Sequence, residues 1–204
     1  MSYSQLGQDM QVLDFYKNKA NGYFVEVGAS NGIELSNTYL LETKYGWKGV
    51  CCEPVPFKFE ELVQNRPNSV CVKEAVYYES GLTVTFDIAN DSVLLSGISQ
   101  HIDVHCSTVD KNKTTISATT ITLLDVLDQA KAPAFIEYLS LDTEGSEYEI
   151  LKPFDFSKYT FGLIDVEHNF YEPRRTHIRD LLVANGYEYL GENKWDDRYK
   201  HRSV

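Results

Sequence analysis

Short apolar runs alternate with helix-length segments along most of this chain, and that alternation constrains its fold more than any other feature. Residues 23–27, 49–52, 69–72, 135–141 and 161–166 read as strands. They are apolar, too short for helices, and most are closed by glycine or an acid. Between and around them, residues 9–19, 36–45, 56–64, 122–131, 144–151 and 174–185 carry helical spacing or helix-start signals. Asp9 and either Ser36 or Asn37 are candidate N-caps, Pro56 suits a first turn, and Thr122 with Asp125 forms a capping pattern. Asn185-Gly186 stops the last helix. Such alternation predicts a doubly wound α/β sheet, mostly parallel, with helices on both faces. Two segments depart from it. Residues 187–190 and 195–199 read as a terminal antiparallel hairpin. Residues 77–120, rich in Thr, Ser and Val, read as a β-rich segment without a helix, with strands at 82–88, 104–107 and 114–119. No linker, repeat or low-complexity run interrupts the chain, so residues 1–204 are expected to form one domain.

Composition excludes several classes of function. Lys and Arg number 19 against 30 Asp and Glu, a net charge of −11. A surface of that sign repels phosphate backbones and anionic lipid, so neither nucleic acid nor a membrane is an expected partner. No run approaches the roughly 18 apolar residues that cross a bilayer. The first ten residues have no basic region followed by an apolar core, and the expected location is cytoplasmic. Cys51, Cys52, Cys71 and Cys106 form no C-x-x-C pair and read as reduced thiols.

In open parallel sheets ligands bind beyond the carboxyl ends of the strands. The first such turn reads Glu26-Val27-Gly28-Ala29-Ser30-Asn31-Gly32. Ser30 stands where a dinucleotide fold needs a second close glycine, and the acid that opens the turn would repel a pyrophosphate. A cation would be welcome there. S-adenosylmethionine (SAM) carries a sulfonium and an ammonium and no phosphate. Glu53, one strand-helix-strand unit further on, can accept both ribose hydroxyls. The glycines alone also suit an ordinary turn.

Several further blocks carry a family likeness when taken in order: Ser4-Gln5-x-Gly7-Gln8-Asp9, Phe24 to Ala29, Ser36-Asn37-Thr38, Leu41-Glu42 with Gly46-Trp47-x-Gly49, Glu53-Pro54, Asn65-Arg66, Leu139 to Gly145, and Val166-Glu167-His168-Asn169. The chain resembles the FkbM-type methyltransferases, which are class I SAM-dependent enzymes. The resemblance implies a Rossmann-like class I methyltransferase fold. It also implies SAM as cofactor and methyl transfer to a hydroxyl of a sugar, glycan or glycosylated natural product. Together with the residue reading, it puts Glu26, Gly28, Ala29, Ser30, Asn31, Ser36, Asn37, Glu53, Pro54, Ala75 and Asp142 at the cofactor. Within 77–120 only Ser96-Gly97 match, so an acceptor pocket is expected to be shaped there. The expected partner is a saccharide or glycoside acceptor, with a homodimer as the candidate assembly. The alternatives are a non-catalytic SAM-fold binding module and a methyltransferase of a non-sugar small molecule.

Methyl transfer needs an acceptor oxygen aligned in line with the methyl carbon, and a sugar hydroxyl must also lose a proton. Asp142, Glu167 and His168 are the candidate catalytic residues, since each follows a predicted strand. Three readings stay open. These residues, with Asn169, could hold Mg²⁺ or Mn²⁺ that lowers the pKa of an acceptor hydroxyl. His168 could act as a metal-free general base. All could be structural, with Asp142 capping a helix and Glu167 pairing with an arginine. Glu144 and Glu147 are further acids that could face the site. Tyr3, Gln5 and Gln8 could fold over it, and Phe170-Tyr171 could stack on a sugar.

Overall fold

The computed structural model describes residues 2–204. β1 (Tyr23–Val27) is an interior strand of a seven-stranded sheet. It pairs in parallel with β2 (Lys48–Cys52), from Tyr23↔Lys48 to Val27↔Cys52, and with β8 (Phe135–Leu141), from Phe24↔Tyr138 to Val27↔Leu141. β3 (Val70–Val72) continues in parallel beyond β2, and β9 (Thr160–Glu167) beyond β8. The terminal hairpin completes the sheet. β11 (Asp196–His201) inserts antiparallel between β9 and β10 (Tyr187–Asn193), giving the order β10-β11-β9-β8-β1-β2-β3. The doubly wound, mostly parallel sheet expected from the alternation is therefore present.

Side-chain alternation along the strands builds a core on each face. In β1, Val25 and Val27 face α5 (Leu123–Gln129), α6 (Glu147–Leu151) and α7 (Arg174–Ala184), in a cluster with Leu127, Ile150 and Leu182. Phe24 and Glu26 face the other way, toward α1 (Gln8–Phe15), α2 (Tyr39–Tyr45) and α3 (Pro56–Asn65), where Leu13, Leu41 and Leu62 are buried.

Helix ends differ from the expectations for local reasons. Lys17 and Asn18 take positive φ (52° and 58°), which ends α1 at Phe15. Asp9 is not its N-cap. Gly7 is, and the Asp9 carboxylate accepts from Tyr3 N and Ser4 Oγ, both at 2.8 Å, tying the N-terminal segment to the helix. Ser36 Oγ accepts from Thr38 N (3.2 Å) and Tyr39 N (3.0 Å), so α2 starts at Tyr39. Glu144 and Gly145 take positive φ (58° and 129°), which moves the start of α6 to Glu147. Thr122 caps α5 as the pattern predicts, its Oγ1 accepting from Asp125 N at 3.1 Å.

The middle of the chain forms a second sheet. β4 (Ala75–Tyr77), β5 (Thr83–Ala89), β6 (Gly97–Ile98) and β7 (Lys113–Thr122) lie in the order β4-β7-β5-β6. The segment is β-rich, but residues 104–107 are not a strand. α4 (Cys106–Val109) begins there, held by Val109 N to His105 O (2.9 Å) and Asp110 N to Cys106 O (2.8 Å). A single 3-10 turn, Val93–Leu95, separates β5 from β6. The two sheets share apolar contacts: Val55 packs with Phe86, Ile98 and Ala118, while Val76 and Ile121 reach the main core. Among the described residues, no helix is long and apolar enough to cross a membrane.

Candidate active site

A cavity of about 340 Å³ opens at the carboxyl ends of β1, β2, β8 and β9, within the size range of small-molecule sites. The N-terminal segment, the terminal hairpin and the middle segment close its other sides through Gln5 and Gln8, Trp195 and Asp196, and Val93 to Ser96. Nine of its lining side chains are Asp or Glu, one is His105, and none is Lys or Arg.

The first turn is built by close approach. Gly28 has φ 89°, and a Cβ there would lie 1.9 Å from the Asp142 carbonyl oxygen. Only glycine permits this contact between the ends of β1 and β8. Gly28 N and Ala29 N both donate to Cys52 O at 3.0 Å. Ser30, at φ 46°, directs its N–H to Glu53 Oε2 at 2.8 Å. Val55 N binds the other Glu53 oxygen at 2.8 Å. Burial, opposed by these two N–H donors, pushes Glu53 up to about 7. A carboxylate offers about four acceptor positions, so Glu53 keeps capacity for a ligand.

Glu26 has a different task from the one expected of it. Its carboxylate accepts from Ser36 Oγ (2.9 Å), Asn37 N (2.7 Å) and Thr38 Oγ1 (2.7 Å), and Arg66 Nη1 lies 3.3 Å away. Arg66 is wholly buried and also binds Glu42 Oε2 through Nε at 2.5 Å and Gly32 O through Nη1 at 3.1 Å. Its charge neutralises Glu26, so Glu26 organises the 36–38 loop and is not a free receptor for a cation. That loop presents Asn37, whose Nδ2 donates to Ser140 Oγ at 2.9 Å while its Oδ1 is buried without a partner. Asn31 does not line the cavity. Its Oδ1 accepts from Ile33 N (3.1 Å) and Glu34 N (2.9 Å), an Asx turn that shapes the loop. Gly28, Ala29, Ser30, Ser36, Pro54 and Ala75 all line it.

Asp142, Glu144 and Glu167 each offer an oxygen within 4.8 Å of the others. Asp142 is open to the cavity. Burial, against a hydrogen bond with Glu167, pushes it up to about 6. Burial, then the charges of Asp142 and Glu147, push Glu144 up to about 9. Burial and the charges of Asp142 and Glu144 hold Glu167 well above the usual carboxylate range. The three carboxyls therefore keep protons between them at neutral pH. His105 Nε2 stands 3.6 Å and Asn169 Nδ2 3.4 Å from Glu144 Oε2. Asp196, bonded by Gln8 Nε2 at 2.7 Å, is pushed up to about 7 by burial and the nearby Asp142 charge.

His168 is a correction. Glu167 faces the cavity, and successive residues leaving a strand point to opposite sides, so His168 faces away. It is buried beside Val166 and Ile178, with Nδ1 accepting from Phe170 N at 2.9 Å and Nε2 3.5 Å from Asp197 Oδ1. Asp197 is itself bound by Arg175 and Arg179. Of the ion site expected of Asp142, Glu167 and His168, the structure brings together Asp142 and Glu167, with Glu144, and leaves His168 out. His105 and Asp196 join the site without any motif to announce them. Arg66 was visible only inside one of the blocks of the family likeness.

Comparison with known proteins follows the geometry. The family model described as Methyltransferase FkbM domain matches residues 26–189. No curated protein sequence is significantly similar to the chain. Among solved structures, the METTL16 MTase domain superposes with a TM-score of 0.54 at 11% identity, over 96% of this chain and 65% of that one, so the chain spans less than two thirds of it. A human methyltransferase 10 domain containing protein gives 0.51 at 12% identity, over 95% and 79%. A precorrin-6y C5,15-methyltransferase from Geobacter metallireducens GS-15 gives 0.50 at 11% identity, over 94% and 84%. At these identities the likeness is one of fold.

Proposed function

The chain belongs to the FkbM methyltransferase family, a family of SAM-dependent enzymes, and we propose that it transfers the methyl group of SAM to a hydroxyl of a neutral sugar, glycan or glycoside. The observation that carries the acceptor class is the lining of the cavity: no Lys or Arg, and nine acids, of which only Glu26 and Asp165 are paired with an arginine behind the wall. A phosphate-bearing cofactor or a nucleic acid acceptor would be repelled. A cation is attracted, and neutral hydroxyls find acceptors for their protons.

The cofactor end fits SAM on its own geometry. The unpartnered Asn37 Oδ1 can accept from an ammonium group, and the Glu53 carboxylate, fixed by Ser30 N and Val55 N, can accept ribose hydroxyls. When bound, SAM supplies an electrophilic methyl carbon and a thioether leaving group. Asp142 and Glu167 then face the acceptor. We assign them to binding and orienting its hydroxyls, because holding the oxygen in line accounts for much of the barrier. Phe170 and Tyr171, expected to stack on a sugar, are exposed but do not line the cavity, and Arg175 and Arg174 lie over their rings. The proposal assigns no step to an ion. Four free cysteines suit a reducing compartment, and we place the reaction in the cytoplasm.

Titration calorimetry with S-adenosylhomocysteine (SAH) tests the cofactor site. Wild type should bind, and Glu53→Ala should bind about 10–100-fold more weakly, the worth of hydrogen bonds to a charged group. Absence of binding by the wild type would remove the reading.

A further inference from the structure

We propose that His105 is the general base for the acceptor hydroxyl, the role for which the sequence offered His168. The inference rests on the methyl-transfer reading above. Among the described residues, His105 is the one imidazole that lines the cavity. Its side chain is 33% exposed and its Nε2 is 3.6 Å from Glu144 Oε2.

The position of His105 is built into the fold, although its loop lies in the middle segment. Asp103 is ion-paired with Arg174 of α7. Arg174 Nη1 also donates to Gly145 O at 3.0 Å, clamping the His105 loop onto the turn that carries Glu144. The two backbones touch there: a Cβ on Gly145 would lie 2.1 Å from His101 O. The carbonyl of His105 accepts from Thr108 N and Val109 N at 2.9 Å, which fixes the residue at the start of α4. Asn169 Nδ2 lies 3.4 Å from the same Glu144 oxygen. The charged groups on the neighbouring elements are thus Glu144, Asp103, Arg174 and Glu147, whose Oε2 lies 3.6 Å from Arg174 Nε.

The step balances. The acceptor oxygen forms its bond to the methyl carbon as the carbon–sulfur bond breaks, and that electron pair stays on sulfur, which becomes a neutral thioether. The hydroxyl proton passes to His105 Nε2. The imidazolium so formed has Glu144 Oε2 3.6 Å from the same nitrogen, an oxygen that can accept from it.

The test measures transfer of labelled methyl from SAM to a panel of methyl glycosides of neutral hexoses and 6-deoxyhexoses. Wild type, His105→Ala and His105→Gln are compared, with SAH affinity measured for each. The expected result is unchanged SAH affinity and a turnover about 100-fold lower or more in both variants. Added imidazole should restore part of the activity of His105→Ala and none of that of His105→Gln, whose side chain fills the space. Turnover near wild type in either variant, or a loss that imidazole does not relieve, would overturn the assignment. A wild type that methylates no glycoside of the panel would overturn the sugar reading and this assignment with it. An active wild type beside an active His105→Ala would remove His105 alone.

Discussion

Glu144→Gln should make the ligand-free protein more stable, and increasingly so as pH rises. Glu144 is buried with its carboxyl 4.8 Å or less from those of Asp142 and Glu167. Its pKa is raised from 4.5 to about 9 in the folded chain, by burial first and by the charges of Asp142 and Glu147 next. Between those two values the folded protein keeps a proton that the unfolded chain has lost. Stability therefore falls as pH rises through that window, opposite to the usual behaviour of a paired carboxylate. At about 1.4 kcal/mol per pH unit, three units above the unfolded value would cost up to about 4 kcal/mol at pH 7.5, and sharing of protons within the trio reduces this to about 2–4 kcal/mol. Glutamine resembles the protonated acid in shape and cannot ionise. Urea unfolding at pH 5 and pH 8 separates the cases. The variant should match wild type at the lower pH and have a higher midpoint at the upper, with the same m-value. A variant less stable than wild type at pH 8 would refute the reasoning and show that Glu144 is ionised and favourably paired.

The other expectations follow the same geometry. Arg66→Met leaves Glu26 and Glu42 buried without their counter-charge and should destabilise by about 3–5 kcal/mol, measurable by denaturant unfolding. Gly28→Ala places a Cβ 1.9 Å from Asp142 O at φ 89°, between strand ends held together by Asp142 N to Val27 O. It should cost about 3 kcal/mol or more, and abolish SAH binding in calorimetry. Treatment with EDTA, then addition of Mg²⁺ or Mn²⁺, should leave SAH affinity unchanged; an affinity that requires the ion would contradict the site as described. His168 is pushed below its ordinary 6.5 by burial, so the folded chain binds fewer protons than the unfolded one near and below that pH, and stability falls on acidification. His168→Gln should remove that part of the acid-side slope and spare SAH binding.

What could be read along the chain was whatever repeats or punctuates locally. Alternation of strand and helix periods predicted the parallel sheet, and the position of each strand end followed from it. Gly28, Ser30 and Glu53 lie where they were expected because each closes a strand, and strand ends converge in an open sheet. Helix boundaries were less legible, since Lys17, Asn18 and Glu144 adopt left-handed backbone that no composition rule required. At 104–107 the β-like composition yielded to local helical hydrogen bonds.

The identity of the groups that meet at the reacting end was a tertiary decision. Strand parity turned Glu167 into the cavity and His168 out of it, and parity depends on the residue at which β9 stops pairing. The Arg174 clamp brought His105 across from the middle segment to Glu144. Arg66 cancelled the charge of Glu26 from a helix end that no motif links to cation binding. The sequence by itself determined the layers and the cofactor turn, because periodicity and turn chemistry act over a few residues. The pairing of distant side chains, and the protons that crowded carboxyls retain, depend on distances and burial that exist only after the chain has packed.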